Sequence, residues 1–197
     1  MFSLQMVTMT QNNKLDWPHI ESALHKLEKP EFIELLQQLS EVSAEAANFL
    51  TARFHGEKTR EEILAPYRAI IAESFFPPDE TIPDDLDFTE SRKAIANYRQ
   101  ATNDTLGVLD LLLYLAEIVV ASVGAHGGPY YGPHYDDLRE TLSDFTNLLW
   151  KNGSLYPQFA DRIRKFRERA DAVTLSFGDY AIDDLYDMEI NLGPEES

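Results

Sequence analysis

The sequence predicts an all-α fold, an irregular helical bundle or a short stack of helix pairs with roughly eight or nine helices. Three observations predict it. Apolar residues recur at spacings of three and four along most of the chain. Leu far outnumbers Val, which disfavours strands. Helix-start signals, Pro or a Ser, Thr or Asp cap before an apolar run, return again and again.

The elements follow in order. Residues 1–15 read as a flexible tail. Asp16 is an N-cap for "WPHIESALHKLEK", with Pro18 in the first turn, where a missing N–H costs nothing. "KPEFIELLQQLSEVS" repeats the device with Pro30 and sets Phe32, Leu35, Leu36 and Leu39 on one side. "SAEAANFLTARFH" follows almost at once, so these two are expected to form a short antiparallel or stacked pair. Thr59 and Glu62 make a capping box for "TREEILAPYRAIIAESFF", whose buried face is Ile63, Tyr67, Ile70 and Ile71. Pro66 is either a kink or a late first-turn proline.

"FPPDETIPDDLD", residues 76–87, holds three prolines and five acids and cannot continue a helix. It reads either as a hinge between two helical halves or as a surface loop of one domain spanning 16–192. Asp87 and Glu90 suggest the cap of "DFTESRKAIANYRQATN". A long apolar helix then runs from about Asp104 to Val123. "HYDDLRETLSDFTNLLW" is amphipathic through Tyr135, Leu138, Leu142, Phe145 and Leu149, and Gly153 marks its end. "YPQFADRIRKFRERADAV" repeats the pattern through Phe159, Ile163, Phe166, Ala170 and Val173. The acidic, amphipathic "DYAIDDLYDMEINL" closes the fold before a tail at 193–197.

Composition narrows the function. The net charge is −17 over 197 residues. Direct nucleic-acid binding and attachment to an anionic membrane are disfavoured, because both need Lys and Arg to displace counterions. A basic partner suits such a surface. The chain contains no cysteine, which excludes disulfides, thiolate metal sites and cysteine nucleophiles. Its start lacks a basic segment followed by a long apolar one, so no signal peptide is expected and the protein reads as cytoplasmic. Residues 106–125 are long enough to span a bilayer, but Asp110 and Glu117 interrupt them, and a buried central helix with one polar stripe explains them better.

Two candidate sites emerge. "GAHGGPYYGPHYDD", residues 124–137, gathers four of the nine glycines, three tyrosines and two histidines. His126, Tyr130, Tyr131, His134 and Tyr135 offer backbone groups, rings and imidazoles for a ligand or a partner. The histidines lie eight apart across glycines and prolines, unlike the H-x-x-x-H or E-x-x-H spacings that put two metal ligands on one helix face. No metal or other cofactor is therefore expected. The alternative role is a connector whose tyrosines pack over helix ends.

Asp110, Tyr114 and Glu117 form the second candidate, a polar stripe on the apolar helix. The carboxylates are seven residues and about 10 Å apart along the axis. They read either as an acid–base pair or as carboxylates satisfied by cations of neighbouring helices, such as those of "SRKAIANYR". No G-x-S-x-G, S-x-x-K, P-loop or G-x-G-x-x-G motif occurs, so no catalytic residue is assigned.

"DRIRKFRER" concentrates five of the seventeen basic residues. Asp161 can pair with Lys165 and Arg164 with Glu168 at i,i+4. Beyond Arg169 there is no Lys or Arg, while eight Asp or Glu follow, so the acidic end can neutralise this helix. The same end, with Ile182, Leu185, Tyr186 and Met188, could instead engage a partner.

"LEKPEFIELLQQLSEVSAEAANFLTARF", "DLLLYLAEIVVASVG" and "YDDLRETLSDFTNLLW" together resemble a group of uncharacterised bacterial all-helical proteins, with helix pairs like those that accompany SWIM-type zinc-finger proteins, although this chain has no zinc-binding cysteines. The resemblance implies an α-helical, repeat-like fold and supplies no activity. The leading expectation is an acidic helical interaction module, an adaptor or scaffold, for a protein with a basic surface; it is also compatible with a homodimer. The alternatives are a small-ligand or metal-binding protein or enzyme built on the loop and the stripe, and an acidic mimic of nucleic acid.

Overall fold

The structure, a computed structural model, describes residues 16–77, 88–126, 133–173 and 183–192. The fold is all-α: nine α-helices and one 3-10 turn, with no strand among the described residues. The chain divides into two compact units, Met1–Ala44 and Glu45–Ser197.

The first unit contains α1 (Trp17–Leu24) and α2 (Lys29–Val42). Asp16 caps α1 by accepting from the His19 backbone N–H at 3.4 Å, with Pro18 in the first turn. At the start of α2, Glu31 Oε2 accepts from the Glu28 backbone N–H at 2.7 Å. Neither helix has a buried residue. The expected stripe of α2 is therefore present but uncovered, with Phe32, Leu35 and Leu39 all exposed.

The second unit is built from α3 (Ala44–Arg53, entering at the boundary), α4 (Arg60–Phe75), α5 (Thr89–Thr102), α6 (Thr105–His126), α7 (Pro133–Lys151), a 3-10 turn (Gly153–Leu155), α8 (Tyr156–Val173) and α9 (Asp183–Leu192). Helix α6 is central, with α4, α5, α7 and α8 packed on it, while α9 packs on α7 and α8. Its leucines 109, 111, 113 and 115 are fully buried, each contributing about 2 kcal/mol by leaving water. By length and composition Thr105–Ala125 could cross a membrane, but 67% of its most apolar stretch is buried within the protein, as in a core helix.

Local signals place these elements. The Thr59–Glu62 capping box opens α4 as expected, and Pro66 lies inside the helix without ending it. The cap of α5 falls on Phe88 rather than Asp87 and makes no side-chain hydrogen bond. The Phe88 ring instead packs edge-on against Phe75, 5.3 Å between centroids, tying the start of α5 to the end of α4. Asn103 ends α5 in the left-handed conformation at φ 53°, which asparagine tolerates. Arg53 of α3 donates to the Ala101 carbonyl at 3.1 Å, where the last turn of α5 leaves carbonyls unpaired. Gly107 lets the Tyr98 ring lie against α6; a Cβ there would stand 2.1 Å from Tyr98 Oη.

Segments 1–15, 78–87, 127–132, 174–182 and 193–197 lie outside the described residues, and with them most of the hinge or loop expected at 76–87.

Candidate functional site

The stripe on α6 is the site that the structure describes in full. At 3.6 residues per turn, Asp110, Tyr114 and Glu117 stand one above another on the same side of the helix. Two arginines from different helices meet them. Arg68 of α4 donates from Nε and Nη2 to Asp110 Oδ2, at 3.0 and 2.5 Å. It also reaches Glu61 on its own helix. Its guanidinium lies 5.7 Å from the centre of the Tyr114 ring. Arg162 of α8 grips Glu117 with two parallel bonds, Nε to Oε1 at 3.1 Å and Nη2 to Oε2 at 2.8 Å. Its remaining nitrogen, Nη1, donates to Asp110 Oδ1.

The cluster is half-buried: the side chains of Asp110 and Glu117 are 14% and 19% exposed. Burial works against the charge on Arg162, but the Glu117 and Asp110 carboxylates together outweigh it and raise the guanidinium above its ordinary value. The same balance, with Asp110 and Glu61 as the anions, raises Arg68. All four carboxylate oxygens of Asp110 and Glu117 are occupied by guanidinium donors. The arrangement is an electrostatic brace that joins α4, α6 and α8.

The cations do not come from "SRKAIANYR", where the sequence pointed. Arg92 of α5 pairs instead with Asp137 and Glu140 of α7, at 3.0 and 2.7 Å, and Lys93 with Glu45 of α3 at 2.6 Å. Arg162 was available in the basic run of α8, which does dock acids of its own chain. Arg68 carries no sequence signal beyond its place on a well-capped helix.

The rest of the basic run behaves as its spacing predicts. Lys165 pairs with Asp161 at 2.7 Å and Arg164 with Glu168 at 3.1 Å. Arg167 pairs with Glu189 of α9 and lies over the Tyr186 ring, 3.2 Å from its centre. Leu185 and Met188 are fully buried beside this contact. The acidic end thus folds back on its own basic helix through α9.

Tyr130 and Tyr131 lie outside the described residues, as do the side chains of His126, His134 and Tyr135, although their backbones belong to α6 and α7. No group of three His, Asp or Glu side chains among the described residues is placed to hold a metal ion.

No family model matches the chain, and no curated protein or solved structure is significantly similar to it.

One cleft of about 380 Å³ opens where the α5–α6 turn meets α7. Arg99, Asn103, Asp144, Asn147 and Lys151 line it, together with Asp104. Asp104 is already engaged, accepting from Tyr98 Oη at 2.8 Å and Arg60 Nε at 2.9 Å. Burial alone would raise its carboxyl, but these two donors, the Gly107 N–H and the Arg60 charge hold it below the ordinary aspartate value. It is a structural anchor at the cleft wall.

Across the molecule, cations are distributed unevenly. In the second unit, arginine or lysine meets Glu45, Asp104, Asp110, Glu117, Asp137 and Glu189. In the first, residues 16–43 carry six carboxylates and two lysines, a net charge of −4. Among the described residues no Lys or Arg pairs with Glu28, Glu31, Glu34 or Glu41; Glu34 and Glu41 accept only from Gln38 and Gln37.

Proposed function

We propose that this chain is an acidic helical protein–protein interaction module whose partner presents a basic surface. A single observation carries the reading. Among the described residues of the unit Met1–Ala44, α1 and α2 bury no residue, Trp17, Leu27, Phe32, Ile33, Leu35, Leu39 and Val42 are exposed, and Glu28, Glu31, Glu34 and Glu41 have no Lys or Arg partner. Exposed apolar surface beside unpaired charge is the composition of a recognition face. The well-packed second unit, with its braced α4, α6 and α8, suits the role of a support. The occupied carboxylates of Asp110 and Glu117 count against reading that stripe as catalytic.

The test is binding of the full-length chain to Lys- and Arg-rich peptides across a salt series. Electrostatic attraction of this kind weakens as salt shortens the screening length. Binding that falls steadily with ionic strength supports the reading. Absence of binding to any basic peptide at low salt refutes it.

A further inference from the structure

The cleft where the α5–α6 turn meets α7 lies wholly within the second unit, and its chemistry is independent of the basic-partner reading. Its volume, about 380 Å³, falls at the lower end of the range of small-molecule sites. Two cations reach it from different helices, Arg99 in the last turn of α5 and Lys151 in the last turn of α7. Among the described residues neither meets a carboxylate. The chain has 34 Asp and Glu to 17 Lys and Arg, so placement and not supply leaves these two open. Asp104 on the same wall does not neutralise them, because Tyr98 and Arg60 already hold it.

One further charge is open. Asp144 of α7 lines the cleft with no Lys or Arg partner among the described residues. It stands seven residues before Lys151, about 10 Å along the helix axis, so no single group of a ligand satisfies both. Asn147 lies between them and turns its Nδ2 to Ser143 Oγ at 3.2 Å, which leaves its carbonyl oxygen to accept. Val108 and Leu148 add apolar wall. We infer that this cleft binds a small acidic α-amino acid, with two carboxylates and an ammonium set along a short chain. Arg99 takes the carboxylate beside the ammonium with its planar fork, and Lys151 takes the far carboxylate as a point charge. Asp144 and the Asn147 carbonyl take the ammonium.

The charge pattern decides against simpler anions. A compact anion such as inorganic phosphate would draw on the first amides of α6. Asp104 is anionic there and already accepts from the Gly107 N–H, and Asp144 repels a second concentrated negative charge. A plain dicarboxylate answers Arg99 and Lys151 but leaves Asp144 unmatched.

The test is isothermal titration calorimetry of the full-length protein with L-glutamate, with glutarate, which lacks the ammonium, and with inorganic phosphate. Glutamate is expected to bind with a Kd below about 1 mM and about tenfold more tightly than glutarate. R99Q and K151Q are each expected to weaken glutamate about tenfold. D144N weakens glutamate while leaving or strengthening glutarate, a change of preference that a merely structural aspartate would not produce. All three variants alter exposed side chains, and circular dichroism confirms that helix content is kept.

No heat from glutamate up to about 10 mM overturns the inference. So does glutamate binding that R99Q, K151Q and D144N leave unchanged, which would put the amino acid elsewhere on the chain. Phosphate or glutarate binding as tightly as glutamate, with D144N without effect on the preference, assigns the cleft to anions in general and overturns the amino-acid class.

Discussion

Arg162 on α8 meets Glu117 on α6 fork to fork, with nitrogen–oxygen distances of 3.1 and 2.8 Å, while its third nitrogen takes Asp110. One guanidinium thereby satisfies two carboxylates a full two turns apart. A point charge on a flexible stem has no such geometry.

Replacing Arg162 with Met strands Glu117 in a half-buried position and leaves Asp110 with Arg68 alone. The expected loss of folding stability is about 2–4 kcal/mol, read by denaturant titration. Arg162→Lys is expected to recover less than half of it. Full recovery by lysine would show that charge alone, and not the two-pronged contact, holds α8 to α6.

Two tyrosines in edge-on contact, Tyr67 and Tyr98, differ in one respect. Their centroids are 5.2 Å apart, yet Tyr98 Oη donates to Asp104, whereas the buried Tyr67 Oη has no partner. Tyr67→Phe removes an unsatisfied polar group and is expected to leave stability unchanged or raise it by up to about 1 kcal/mol. Tyr98→Phe is expected to cost about 1–2 kcal/mol, because Asp104 loses a donor. Thermal melts of the two variants side by side provide the comparison.

Burial also pushes the Tyr67 hydroxyl up to about 12, from an ordinary value of 10.0. The neutral phenol is favoured in the folded state, so its contribution is complete below pH 10.0 and is lost as pH rises through about 12. Wild-type protein should lose stability over that window faster than Tyr67→Phe does. Parallel slopes for the two proteins between those limits would contradict it.

Gly107→Ala is expected to destabilise by about 1–3 kcal/mol. The new methyl would stand 2.1 Å from Tyr98 Oη and 2.6 Å from two of its ring carbons. The ring is buried between α5 and α6 and has no room to swing aside. Trimming the ring as well, in Tyr98→Leu/Gly107→Ala, should cost less than the sum of the single changes in a double-mutant cycle.

Much of the fold was legible because its signals are local. The Asp16 cap, the Thr59–Glu62 box and the Asp161–Lys165 pair each lie within four residues, and helix geometry alone brings them together. The stripe of Asp110, Tyr114 and Glu117 was legible for the same reason. What was not legible is which cations answer it, because Arg68 and Arg162 lie 42 and 52 residues from Asp110, and only the packing of three helices selects them. Helix α2 shows a different gap. Its apolar face reads like that of any core-facing helix, and periodicity cannot distinguish a face that is covered from one left open. The start of α5 went astray because Phe88 serves the core rather than a polar cap.

The Tyr98–Asp104–Gly107 contact has a consequence for the order in which the chain acquires its structure. Tyr98 and Asp104 are six residues apart, so closing the α5–α6 turn costs little loop entropy, whereas the Arg162 bond to Asp110 must close 52. The turn should therefore be formed in the rate-limiting step and the arginine brace added after it. Tyr98→Phe will then chiefly slow refolding, and Arg162→Met will chiefly speed unfolding. In stopped-flow kinetics the two lesions fall on opposite arms of the chevron, and the α5–α6 corner acts as the seed on which the remaining helices assemble.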